Sequence, residues 1–171
     1  MNNWLTYENQ WVNLIHSSVV FLKKTNERTI HHTHAKRALN RIIRAWTDYP
    51  PKYISINALK LFKKANISPT NKTRKDYLIL GRINNKSKIV FEHTTPVNEF
   101  ITRLLTCNLK DEIRDEMKNY SGVCWITRKE DDLLNKNKFR INRYGKWKEC
   151  YEKCDIHIIN LYDNKKSPTS L

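Results

Sequence analysis

Two neighbouring residues, Glu92 and His93, end the apolar run in "SKIVFEHTTPVNEF" (87–100) and have side chains that could do chemistry. A carboxylate can bind a metal ion or orient a proton donor, and an imidazole can act as a general base near neutral pH. The "TTP" that follows indicates a helix start, where unpaired N–H groups suit a phosphate. The pair is therefore predicted to act on phosphate. The alternative is that His93 lies at a strand edge and has no chemical role.

The segment "EHTTP" (92–96) resembles the first motif of the His-Asn-His (HNH-like, ββα-metal) nucleases. The resemblance implies that Glu92 binds one divalent metal ion, Mg²⁺ or Mn²⁺, and that His93 activates water for attack on the phosphodiester. It also implies that the remaining ligands lie on the helix after "VCWIT" (123–127), where Asp131 is the candidate. The zinc-knuckle cysteine pairs of that family are absent from the sequence. A metal-independent ribonuclease, with Glu92 and His93 as acid and base, is the related alternative.

The composition points to a polyanionic partner. The chain of 171 residues has 32 Lys+Arg against 17 Asp+Glu, a net charge of +15, of which residues 1–80 contribute +10. Such an excess favours nucleic acid, because cations that neutralise phosphates release counterions. A membrane span would need about 18 consecutive apolar residues, and no such run occurs. With no basic leader at the start, a cytoplasmic protein without membrane contact is expected.

A cationic face is predicted on the helix of "THAKRALNRIIRAW" (33–46). Its apolar residues recur at helical spacing, so the four basic side chains project away from the core. Cations arranged in this way can contact successive phosphates, although a solvated helix surface has the same pattern. The predicted contacts are Lys36, Arg37, Arg41 and Arg44.

A second cationic segment, "KFRINRYGKWK" (138–148), interleaves basic and aromatic residues. Cations bind phosphates while exposed aromatic rings stack on bases, which predicts contacts from Arg140, Arg143, Tyr144, Lys146 and Trp147. The alternative is that the rings anchor this loop to the core. Arg128, which follows the "VCWIT" strand, is predicted to stabilise charge in a phosphoryl-transfer transition state.

The positions of the elements follow from periodicity and capping signals. A capping box, Thr127-x-x-Glu130, opens one helix, and Thr95 with Pro96 is expected to open another. The four cysteines are interpreted as reduced thiols in the core. Helices are predicted over 3–24, 33–46, 55–66, 95–106, 109–120, 127–135 and 148–154, with a hairpin of 76–83 and 88–93 and strands over 122–127 and 156–162.

These elements predict an α+β fold in a single domain. A helical N-terminal layer is followed by a small, mostly antiparallel sheet interleaved with helices. The expected parts are a basic helical part (1–68), an α+β part with the candidate site (76–163) and a flexible tail (164–171). The predicted function is a small nuclease, such as a restriction, toxin or phage endonuclease acting on DNA or RNA. The alternatives are a non-catalytic nucleic-acid-binding regulator and an accessory protein that binds an acidic protein partner. The sequence is also compatible with a homodimer.

Overall fold

The structure, a computed structural model, describes residues 7–73, 76, 82–83, 86–120, 122–141 and 143–162. As predicted, its fold is α+β. The described residues form two compact units, one within Met1–Asp48 and Thr95–Ser121 and the other within Tyr49–Thr94 and Gly122–Leu171. Residues 49–68, which the prediction grouped with the helical part (1–68), lie in the second unit.

The elements are numbered in chain order. The helices are α1 (Glu8–Lys24), α2 (Ile30–Trp46), α3 (Ile56–Lys64), α4 (Val97–Leu104), α5 (Lys110–Asn119), α6 (Arg128–Lys136) and α7 (Trp147–Glu152). The strands are β1 (Tyr53–Ser55), β2 (Arg82–Ile83), β3 (Lys86–Ser87), β4 (Ile89–His93), β5 (Val123–Thr127) and β6 (Ile158–Asn160). Among the described residues, none of the helices has the length and apolar character that crossing a membrane requires.

The helical unit consists of α1, α2, α4 and α5. Buried apolar residues in α1 are spaced three and four apart, which is the pattern of a helix with one core-facing side. An aromatic cluster closes the core, where the ring centroid of Trp46 lies 5.9 Å from that of Phe100 and 5.3 Å from that of Tyr120. The helical spacing therefore predicted α1 correctly, although residues 3–6 lie outside the described residues.

Two helix starts differ from the prediction. Helix α2 begins at Ile30 rather than Thr33, because the Thr29 hydroxyl accepts the His32 N–H at 3.3 Å and caps an additional turn. Helix α4 begins at Val97, with Pro96 instead of Thr95 at the N-cap. In that position proline has no side-chain acceptor, so this helix start has no side-chain cap.

The sheet unit contains a four-stranded mixed sheet in the order β4-β5-β1-β6. Strand β5 is antiparallel to β4 and parallel to β1, and β6 is antiparallel to β1. The short strands β2 and β3 form a separate antiparallel pair. The first arm of the predicted hairpin, 76–83, lies largely outside the described residues, and its second arm, β4, is the outermost of the described strands on one side of the main sheet.

Strand β5 is buried along its whole length and supplies side chains to both faces of the sheet. On one face Cys124 and Ile126 pack with the helix side chains Trp147 and Tyr151. On the other face Trp125 joins a cluster with Ile54, Ala58, Phe62 and Ile89. The alternation follows from the two-residue period of a strand. It also determines which side chains of β4 lie on the same face of the sheet.

A buried carboxylate, Glu130, bonds to the starts of two helices. Its Oε2 atom accepts hydrogen bonds from the Ser55 hydroxyl at 2.7 Å and from the Thr127 N–H and hydroxyl at 2.7 and 2.8 Å. Its Oε1 atom accepts from Asn57 Nδ2 at 3.1 Å. The two hydroxyls also accept backbone N–H groups, Ser55 from Ala58 and Thr127 from Glu130, so each caps its own helix. These four residues are called the Glu130 cluster below.

The structure therefore confirms the predicted capping box. The Glu130 carboxylate also accepts hydrogen bonds from Ser55 and Asn57 at the start of α3, which the sequence did not indicate. Strands β1 and β5 are parallel, so their carboxyl ends lie at the same edge of the sheet, where α3 and α6 begin. The positive ends of both helix dipoles stabilise a carboxylate at this position.

We expect Glu130→Gln to lower the free energy of unfolding by about 2–3 kcal/mol, because an amide cannot accept all four hydrogen bonds and loses the charge that strengthens them. Urea denaturation followed by far-UV circular dichroism measures the change. Asp132→Asn, an exposed neighbour on the same helix, is the matched control, with an expected change within about 0.5 kcal/mol. Equal stability of the two variants would contradict a structural role for the cluster.

Candidate functional site

The predicted pair, Glu92 and His93, lies at the end of β4 on opposite faces of the sheet. In the register with β5, Glu92 is opposite Cys124 and His93 is opposite Val123. His93 is 7% exposed, and its ring meets the ring of Phe91 edge-on at 6.2 Å between centroids. Successive side chains of a strand point in opposite directions, so this geometry does not bring the carboxylate and the imidazole to one reacting centre.

The Glu92 carboxylate forms an ion pair with Arg143, whose Nη2 donates to Glu92 Oε1 and to the His93 carbonyl oxygen at 3.3 Å. The side chains are 4% exposed for Arg143 and 17% exposed for Glu92. Burial acts to lower the pKa of the Arg143 guanidinium, but the charge of the Glu92 carboxylate and its hydrogen bond to Arg143 outweigh burial and the pKa is raised. Arg143 therefore stays charged and neutralises Glu92 inside the protein. Its predicted contact with nucleic acid is not supported by this burial.

The surroundings of this ion pair are neutral at physiological pH. The guanidinium carbon of Arg143 lies 6.0 Å from the ring centroid of Tyr151. Burial raises the pKa of Tyr151 and of Cys124 well above their ordinary values. A neutral phenol and a neutral thiol are weak nucleophiles, so this side of the sheet has the properties of a polar cluster within a core.

The other cysteines are also free, buried thiols, as predicted. Burial raises the pKa of Cys150 and Cys154, which disfavours the thiolate form that zinc binds. His157 is 70% exposed on its side chain and pairs with Asp155, with Nε2 and Oδ1 3.0 Å apart.

Arg128 and Asp131, predicted as a transition-state cation and a metal ligand, form an ion pair with each other. The distance from Arg128 Nη1 to Asp131 Oδ2 is 2.8 Å within the first turns of α6. The carboxylates of Glu92 and Asp131 are thus each neutralised by a guanidinium, and they do not fit a metal site as they stand. Among the described residues, no group of three or more His, Cys, Asp and Glu side chains could hold a metal ion. The Mg²⁺ or Mn²⁺ site stays a prediction.

In the segment 138–148 the aromatic residues are buried or half-buried, and the basic residues other than Arg143 are exposed. Trp147 is 6% exposed, and its ring lies 5.1 Å from that of Tyr53 and 5.5 Å from that of Tyr151. Trp147 belongs to the core cluster, and because stacking on a base needs an exposed ring face, its burial does not support the predicted base contact. Tyr144 is half-buried, whereas Arg140 and Lys146 are exposed.

The cationic face of α2 borders a groove of about 640 Å³. Helix α2 contains no acidic residue. Of the predicted contacts, Arg44 is half-buried, and its Nε donates to Asn40 Oδ1 at 2.8 Å. Asn40 Nδ2 in turn donates to Asn98 Oδ1 of α4 at 3.3 Å. The groove, called the α2 groove below, is lined by Glu27, His32, Thr33, Lys36, Arg37, Asn40, Arg41, Asn98 and Leu105.

The α2 groove places three exposed cations beside two amide side chains. Lys36, Arg37 and Arg41 are exposed, and the amides offer hydrogen-bond donors and acceptors between them. Glu27 is the acidic residue in the lining. Guanidinium, ammonium and amide groups are those that contact phosphate and sugar in nucleic-acid complexes. Sequence analysis predicted the cations but not the amides, because Asn98 belongs to a helix distant in sequence.

Comparison of this chain with protein-family models, with curated proteins and with solved structures found no match. The resemblance of "EHTTP" to a nuclease motif therefore depends on those five residues alone.

We expect Arg143→Met to lower the free energy of unfolding by about 3–5 kcal/mol, because it leaves the Glu92 carboxylate without its guanidinium. The double variant Glu92→Gln/Arg143→Met should lose less than the sum of the single changes, since neither charge remains. Urea denaturation of the wild-type protein, Glu92→Gln, Arg143→Met and the double variant gives the coupling free energy between the two side chains. Arg140→Met, an exposed arginine of the same segment, is the control, and equal losses for Arg140→Met and Arg143→Met would refute the ion pair's structural role.

Proposed function

We propose that the protein binds nucleic acid through the α2 groove and that its contacts are chiefly to the phosphate backbone. The observation that supports this most directly is the arrangement of Lys36, Arg37 and Arg41 along one groove. Four basic residues and no acidic one in a helix of 17 residues give a strong local positive potential.

The groove is also held in shape before a ligand arrives. The hydrogen bonds from Arg44 to Asn40 and from Asn40 to Asn98 fix one wall, so fewer side chains need to be ordered on binding. Backbone contacts of this kind position a nucleic acid without reading its bases. We therefore expect low sequence specificity and a strong dependence of affinity on salt.

The sheet unit has a second cationic surface that fits the same partner. The segment 136–148 contains six Lys or Arg residues and no acidic residue. With Arg143 in the core, the exposed cations of the segment are Lys136, Lys138, Arg140, Lys146 and Lys148. This surface supports additional phosphate contacts, with less base stacking than the sequence predicted, because Trp147 is buried.

Hydrolysis of phosphodiesters stays a prediction. It would require Glu92 and His93 to act on one phosphate, and they project from opposite faces of β4, with Glu92 paired to Arg143. Binding without hydrolysis needs neither residue and is the function that the geometry favours. Incubating plasmid DNA, single-stranded DNA and structured RNA with the protein and Mg²⁺ or Mn²⁺ distinguishes the two, and cleavage that His93→Ala abolishes would establish the nuclease.

The triple variant Lys36→Gln/Arg37→Gln/Arg41→Gln is expected to bind a fluorescent oligonucleotide at least ten-fold more weakly. The slope of log affinity against log salt concentration should fall by about three, one for each phosphate contact removed. Fluorescence anisotropy over a series of salt concentrations measures both quantities.

The control for this experiment is Lys60→Gln/Lys63→Gln/Lys64→Gln, which removes the same charge from exposed positions of α3. We expect this control to weaken binding by less than about three-fold, through net charge alone. Equal losses from the two triple variants would show that the charge acts without a site and would contradict the α2 groove.

A further inference from the structure

We propose that the exposed side of α1 associates with α1 of a second copy of this chain, with the two helices antiparallel. Three large apolar side chains along this side are exposed: Tyr7, the N-cap residue, at 53%, and within the helix Leu14 at 46% and Phe21 at 52%. With Trp11 and Ser18 they form what is called the α1 stripe below.

The stripe has the spacing of a helix-packing seam. Its positions 7, 11, 14, 18 and 21 alternate intervals of four and three residues, which is the heptad pattern of a and d positions. The core-facing residues of the same helix, Val12, Ile15, Val19 and Leu22, form a separate row. Helix α1 is therefore apolar on two sides, and the internal packing of the unit accounts for one of them.

The charge distribution indicates a second copy as the partner. Residues 9–22 contain no Lys, Arg, Asp or Glu, in a chain of which 29% is charged. Two molecules of net charge +15 repel each other over most of their surfaces, but they can meet along this neutral face.

The stripe also contains an exposed ring, Phe21, and an apolar hollow. Tyr7, Gln10, Trp11 and Leu14 border an apolar hollow of about 350 Å³. These are positions i, i+3, i+4 and i+7, the set of four that receives one side chain from a facing helix. In the antiparallel register that pairs a with d positions, Phe21 of each copy lies over Trp11 of the other, and Leu14 faces Ser18. A two-fold axis fills both hollows by one operation, as expected of an isologous dimer.

Sedimentation equilibrium of the full chain over a range of micromolar concentrations tests this proposal. The wild-type protein is expected to be a reversible dimer, and Leu14→Glu should raise the dimer dissociation constant at least ten-fold. Phe21→Ala is a second variant that removes the protruding ring without adding a charge. Asn13→Glu adds the same charge at an exposed position about 100° around the helix, and should change the dissociation constant less than three-fold.

Far-UV circular dichroism verifies that each variant keeps its helices. A wild-type chain that is monomeric throughout, including one that associates only with a different protein, would overturn the proposal. A dimer that Leu14→Glu and Phe21→Ala leave unchanged would also overturn it, because another surface would then form the contact.

Disulfide formation between two single-cysteine additions tests the direction of the helices. Leu14→Cys and Ser18→Cys are expected to form an intermolecular disulfide when the two variants are mixed under mild oxidation, and much less in either variant alone. The four native cysteines are buried, so the wild-type chain is the blank. Cross-linking of each variant with itself and none between them would indicate parallel helices and contradict the antiparallel arrangement.

Discussion

The hydrogen bonds of the Glu130 carboxylate determine how the sheet unit is arranged. The side chain accepts from Ser55, Asn57 and Thr127 at the edge where the parallel strands β1 and β5 end. Burying a charge is costly unless its hydrogen bonds are satisfied, and here four donors and two helix dipoles satisfy it. These bonds therefore fix the directions of α3 and α6 relative to the sheet. They also fix the position of β5, with which both β4 and β1 pair.

The position of β5 then determines what the Glu92–His93 corner can do. Because β4 pairs with β5 in a fixed register, Glu92 must share a face with Cys124, and His93 must lie on the face of Phe91 and Trp125. Arg143 neutralises the Glu92 carboxylate in a buried environment, so the guanidinium charge does not face solvent. A sequence that places a carboxylate beside an imidazole thus separates them as soon as it forms a strand. The exposed cations that are proposed to bind nucleic acid lie elsewhere, on α2 and on the segment 136–148.

The features that sequence could predict depend on local chemistry. Helical spacing predicted α1 and α2, and the Thr127–Glu130 box located the start of α6. Strand β1 was missed because three residues are too few to show a period, and its pairing with β5 is between residues about 70 apart in sequence. Burial of Arg143 and Trp147 also depends on long-range packing, since a basic aromatic loop has the same composition whether its rings face solvent or the core. The amide wall of the α2 groove depends on such packing as well, through Asn98.

We propose that nucleic acid binds along α2 and not at the end of β4. Amide hydrogen exchange of the full chain, with and without a saturating oligonucleotide, tests this most directly. We expect slower exchange on binding over residues 30–46, with a smaller effect over 138–148 and little change over 89–96. Slower exchange concentrated at residues 89–96, with no change along α2, would contradict the claim and indicate the Glu92–His93 corner as the binding site.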